Sequence, residues 1–66
     1  MLITLNGDRF ELDGPVTVAA LLEKLDIDSR RVAVERNLEV VKRALYDGTD
    51  VLEGDQIEIV NFVGGG

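Results

Sequence analysis

The chain contains no cysteine, no histidine and no tryptophan, a single proline, and a single serine at Ser29. Without cysteine or histidine it cannot build a disulfide, a Cys/His zinc site, a thiolate nucleophile or an imidazole base. Ser29 without histidine cannot form a Ser-His-Asp arrangement. The composition therefore argues against an enzyme. One proline rules out a Pro-rich linker, and 45% apolar residues at a net charge of −6 lie on the globular side of the disorder boundary.

Long hydrophobic runs are also missing. No segment approaches the length needed to cross a bilayer, so no membrane role is expected. Leu2-Ile3-Thr4-Leu5 after Met1 lacks the basic start, longer apolar stretch and small-residue cleavage site of a signal peptide, and a cytoplasmic location is the expectation. Basic residues are scarce, seven against thirteen acidic, and only Arg30-Arg31 and Lys42-Arg43 are adjacent cations. Phosphate neutralisation needs clustered cations, so no nucleic-acid partner is expected. The acidic excess serves solubility, or steering toward a basic partner surface.

What is present suffices for one domain, since a chain of 66 residues has room for one core. Leu2 to Asn6 and Arg9 to Leu12 alternate with a period of two, which predicts a hairpin with Ile3, Leu5, Phe10 and Leu12 facing the core. Asn6-Gly7 supplies the turn, because both residues tolerate positive φ. Asp13-Gly14-Pro15 breaks the strand. Val18, Leu21, Leu22 and Leu25 then form one stripe of an amphipathic helix, with Glu23 and Lys24 outward. Thr17 is placed to cap it, and Val16 and Leu21 occupy the two positions of a hydrophobic staple.

After a polar loop from Asp26 to Arg31, Val32 to Arg36 reads as a strand that Asn37-Leu38 turns back into Glu39 to Lys42. Ala44 to Asp55 carries the turn signals Asp47-Gly48 and Glu53-Gly54-Asp55, and predicts an irregular stretch with one helical turn, pinned by Leu52. Asp47, Asp50, Glu53 and Asp55 lack the alternating ligand spacing and terminal Glu of a calcium loop, so they read as turn residues and no metal is expected. Tyr46 reads as a core-edge aromatic whose hydroxyl reaches water.

Gln56 to Phe62 closes the pattern as an interior strand, with Ile57 and Ile59 on one face and Glu58, Val60 and Phe62 on the other. Two hairpins flanking one helix, with this last strand between them, give an α+β fold: a mixed four- to five-stranded sheet on one main helix, the ubiquitin-like β-grasp. The expected division is a domain over residues 1–62 and a flexible glycine tail over residues 63–66.

The tail is the feature that carries chemistry. Val63, Gly64, Gly65 and Gly66 can extend about 13–14 Å beyond the sheet at roughly 3.3–3.6 Å per residue. Glycines without Cβ atoms can enter a narrow channel. The Gly66 carboxylate is ionised at neutral pH and a poor electrophile, so it must be activated from outside. Joined to AMP as a mixed anhydride, it would yield to a sulfur nucleophile and become a thiocarboxylate. Val60, Phe62 and Val63 form an apolar strip on the sheet face away from the helix, a candidate partner-binding surface leading into the tail.

Leu5-Asn6-Gly7, Thr17-Val18-Ala19-Ala20-Leu21-Leu22, Val32-Ala33-Val34-Glu35-Arg36-Asn37, Gly54-Asp55-Gln56-Ile57-Glu58-Ile59-Val60 and Phe62-Val63-Gly64-Gly65-Gly66 together resemble the ThiS family of thiamin-biosynthesis sulfur carriers. The resemblance runs in order along essentially the whole chain. It implies that a ThiF-type adenylyltransferase activates Gly66 with ATP, that a cysteine desulfurase relay supplies sulfur, and that the thiocarboxylate passes to a ThiG-type thiazole synthase. It implies a carrier with no bound cofactor, and Gly65 and Gly66 as the family's functional positions. A MoaD-like carrier for molybdopterin synthesis, and a ubiquitin-like modifier or interaction module, are the alternatives. Lys42 stands where many members carry proline; a lysine at a sheet edge discourages unwanted strand pairing.

Overall fold

The computed structural model describes residues 1–62. Strand β1 (Leu2–Leu5) turns through Asn6 (φ 49°) and Gly7 (φ 86°) into β2 (Asp8–Glu11). Both turn residues are left-handed, which matches the right-handed twist of the paired strands. Beyond β2 the ladder continues as Leu12 donates its N–H to the Met1 carbonyl at 2.8 Å.

A two-residue strand β3 (Val16–Thr17) leads directly into helix α1 (Val18–Lys24). The Thr17 hydroxyl accepts the Ala20 N–H at 3.0 Å, as the capping pattern predicts. Val18, Leu21 and Leu22 are buried, and Leu25, at the C-cap, is half-buried. Val16 packs against the cluster that contains Leu21, as a staple requires.

A short 3₁₀ turn at Ser29–Arg31 precedes β4 (Val32–Arg36), which pairs with β5 (Glu39–Val41) across Asn37 and Leu38. Lys42 follows β5 with φ −66°, a value that proline also holds, so lysine here leaves the local path of the chain unchanged. Another 3₁₀ turn (Arg43–Leu45), strand β6 (Asp50–Val51) and strand β7 (Gln56–Asn61) complete the described chain.

The main sheet has five strands in the order β2-β1-β7-β4-β5. The last strand is central, parallel to β1 and antiparallel to β4. Only a crossover through the helix permits that parallel pair. Ile3, Val32, Val34 and Ile57 from the inner face meet Val18, Leu21 and Leu22 from the helix in one core.

Two expectations need correction. The segment from Ala44 to Asp55 is more regular than its turn signals suggest, because β6 pairs with β3 in a separate two-stranded sheet. Leu52 does not pin it: that side chain is 44% exposed, whereas Val51 and Tyr46 are buried in the core. Val51 is registered with Val16, and that pairing turns Val51 inward and its neighbour out. Tyr46 is buried more deeply than an edge position implies. Leu5 and Phe10, expected in the core, are half-buried against it.

Candidate functional site

Strand β7 precedes the terminal segment, and three polar side chains fix where β7 starts and how β7 lies. Asn37 donates its backbone N–H to the Gln56 carbonyl at 2.8 Å, while its side-chain oxygen accepts the Gln56 N–H at 2.9 Å. On the opposite flank Asn6 accepts the Ile59 N–H at 2.7 Å and donates its amide to the Ile59 carbonyl at 3.3 Å. Each asparagine sits in a turn where its strand leaves the sheet, and each side-chain amide stands in for the peptide group that the neighbour no longer offers. The same residues accept left-handed φ, 49° at Asn6 and 52° at Asn37, which accounts for asparagine at both places.

Asp55 completes the anchor. Its carboxylate accepts from Arg36 Nε at 2.7 Å, from the Leu52 N–H at 2.8 Å and from the Asn37 amide at 3.1 Å. Burial by itself pushes this carboxyl up, but the hydrogen bonds from Leu52, Asn37 and Arg36 and the Arg36 charge outweigh it and hold the group below its ordinary value of 3.8. Among the described residues no buried side-chain polar atom lacks a partner.

Along the outer face of β7, Val60 is 57% exposed and lies opposite Ala33 of β4. Phe62 is 49% exposed, and its N–H donates to the Arg31 carbonyl at 2.9 Å, so the β4–β7 ladder extends one step past the strand. The two described members of the expected apolar strip are therefore open to solvent. Val63, Gly64, Gly65 and Gly66 lie outside the described residues. Val40 of β5, 71% exposed on the same face, joins this surface. Its alternation with inward Val41 was a usable signal that the sequence reading did not draw on.

The helix side carries a different feature, a groove of about 540 Å³ with Leu22, Ile27 and Tyr46 in its lining and Glu23, Asp26 and Asp47 among its polar members. Asp28 lines it as well, and the four carboxylates outnumber the one cation there, Arg43, which makes the groove a poor seat for a phosphate. Nearby, hydrogen bonds from the Arg30 side chain and backbone lower the exposed Asp28 carboxyl from 3.8 to about 2. Among the described residues no group of three or more potential ligands could hold a metal ion, and no helix is long and apolar enough to cross a membrane.

Among the described residues, a central last strand, a parallel partner in β1 and a single α-helix across one face define a ubiquitin-like β-grasp protein. The ThiS family model matches residues 3–66. The sulfur carrier protein ThiS of Bacillus subtilis is 40% identical over 50 residues, which is 76% of each chain. The crystal structure of the thiamine biosynthesis protein ThiS from Geobacter metallireducens superposes with a TM-score of 0.89 at 39% identity, covering 100% of both chains. A thiazole synthase from Paramagnetospirillum magneticum is 48% identical over all 66 residues, and the chain spans 20% of that relative's length. The chain belongs to the ThiS family.

Proposed function

We propose that this chain is the sulfur carrier of thiazole formation in thiamin biosynthesis, with Gly66 as the loaded residue. A carboxylate oxygen of Gly66 attacks the α-phosphorus of ATP in a ThiF-type adenylyltransferase, and pyrophosphate leaves. The terminal sulfur of a persulfide from a cysteine desulfurase relay then attacks the acyl adenylate and AMP departs, leaving an acyl disulfide. A second thiol attacks the relay-side sulfur, the S–S bond breaks with a new disulfide formed between the two thiols, and the thiocarboxylate is released for a ThiG-type thiazole synthase. The carrier supplies the acyl group and the docking surface, and its partners supply the catalysis and consume the ATP. A cytoplasmic location, with ATP and these enzymes at hand, goes with this reading.

The observation that carries it is the family match extending through Gly66, joined to a fold whose central strand runs toward that terminus. A thiazole synthase with a stretch like this whole chain in its own sequence supports the last transfer. Outer-face residues Val60 and Phe62 support docking at the base of the tail.

Incubation with the adenylyltransferase, ATP and a sulfur source, followed by intact mass measurement, is the direct test. The expected product exchanges one terminal oxygen for sulfur, and Gly66→Ala, which crowds the reacting carbonyl, is expected to keep its fold while losing loading. A lysine-linked conjugate instead points to a modifier, and sulfur delivery to a molybdopterin precursor points to a MoaD-like carrier.

A further inference from the structure

Asn6-Gly7 is a reactive pair as well as a turn. Asparagine occurs at positions 6, 37 and 61, and only Asn6 is followed by glycine. Gly7 has no Cβ to shield its amide nitrogen, and nothing lies within 4 Å of the place a Cβ would take. Both residues are exposed. The fold, however, holds the Asn6 side chain at both ends: its oxygen accepts the Ile59 N–H at 2.7 Å, and its nitrogen donates to the Ile59 carbonyl at 3.3 Å. These contacts aim the side chain across at β7, and it must release both before it can fold back on its own main chain. Asn37 is held in the same manner, by the Gln56 N–H and the Asp55 carboxylate, but the branched Leu38 follows it.

We propose that Asn6 is a site of spontaneous deamidation, guarded by its contacts with β7, and that the reaction removes the anchor those contacts provide. The Gly7 amide nitrogen gives up its proton to solvent and attacks Asn6 Cγ. The new N–Cγ bond closes a five-membered imide ring, the Cγ–Nδ2 bond breaks, and the amide nitrogen takes a proton from solvent and leaves as ammonia. Water then opens the ring, and no oxidant or reductant is needed. Hydrolysis at Cγ gives aspartate, which still accepts from the Ile59 N–H but sets an acceptor-only carboxylate against the Ile59 carbonyl. Hydrolysis at the backbone carbonyl gives isoaspartate, in which the chain runs through Cβ and Cγ. The atoms that met Ile59 are then part of a turn longer by one carbon, and β7 loses its partner on this flank. Nothing in this chemistry depends on the carrier function.

The purified chain is held at mildly alkaline pH, folded in buffer and unfolded in guanidinium chloride, beside a peptide of residues 4–9. Mass spectrometry with peptide mapping follows the exchange of NH2 for OH. Asn6 is expected to convert in all three samples, at least about tenfold more slowly in the folded chain, because two hydrogen bonds must open first. Asn37 and Asn61 are expected to keep their amides over the same period. Asp13-Gly14 and Asp47-Gly48 can close the same ring by losing water, which returns on opening, so they leave the mass unchanged. The isoaspartate form, separated by chromatography, is expected to show a lower urea midpoint and faster hydrogen exchange at the Ile59 N–H than the unreacted chain from the same incubation.

An Asn6 that keeps its amide in the unfolded chain overturns the site. Equal rates in the folded and unfolded chains overturn the guarding role of Ile59. An isoaspartate form with the stability and Ile59 exchange of the unreacted chain overturns the loss of the β7 anchor.

Discussion

Asp55 shows how one buried carboxylate sets the position of a functional strand. Its two oxygens take three donors: Oδ2 serves Arg36 Nε and the Leu52 N–H, and Oδ1 serves the Asn37 amide. The Asn37 amide cannot flip to help a substitute, because its own oxygen is committed to the Gln56 N–H. Asp55→Asn therefore sets a donor against a donor in either orientation, and we expect a loss of about 2 kcal/mol at neutral pH, read from urea midpoints. The sign of its pH dependence follows from the lowered carboxyl. A group with a depressed folded value stabilises fully above its unfolded value of about 3.9, and loses that contribution as pH falls through the folded value. The gap between wild type and Asp55→Asn is thus widest near neutrality and narrows in acid. Asp28, also lowered, is present in both proteins and cancels in the comparison.

The two hairpins differ at one position with a measurable consequence. Asn6-Gly7 places glycine at the second left-handed site, whereas Asn37-Leu38 places leucine there, at φ 70° and 78% exposed. A branched side chain in that region costs about 1–2 kcal/mol, and this one recovers little through burial. Leu38→Gly is expected to stabilise the protein by about 0.5–1 kcal/mol after the added freedom of the unfolded chain is subtracted, seen as a higher urea midpoint. Hairpins, helix and final strand were legible in the sequence because each spans enough residues to show a period or a cap. The β3–β6 pair was not, since two-residue strands have no periodicity to read. The error at Leu52 has the same origin: with a turn on either side, only the pairing with Val16 decides that Val51 points inward. The site was legible in part, through Val60 and Phe62 on the outward alternation of β7. The Asn6, Asn37 and Asp55 anchors read as turn chemistry alone, because their partners are distant in sequence and close only once the sheet has formed.

Taken whole, the molecule is small enough that its function and its stability share one strand. At about 0.05–0.15 kcal/mol per residue, a chain of 66 residues has a net stability of roughly 3–10 kcal/mol. Ile57 lies fully buried on β7, registered with Leu5 of β1 on one side and Arg36 of β4 on the other. Truncation to alanine in such a site costs about 2–5 kcal/mol, and to valine about 0.5–1.5 kcal/mol. Ile57→Ala is thus expected to remove between about a fifth and all of the folding free energy, while Ile57→Val remains folded. Under the proposed function, the adenylyltransferase needs the outer face as well as Gly66, so sulfur loading in Ile57→Ala should fall with the folded fraction, although every residue of the tail is intact. A stabilising osmolyte should restore folding and loading together. If Ile57→Ala is instead loaded at the wild-type rate while circular dichroism reports it unfolded, the enzyme reads the terminal peptide alone and the sheet contributes nothing to recognition.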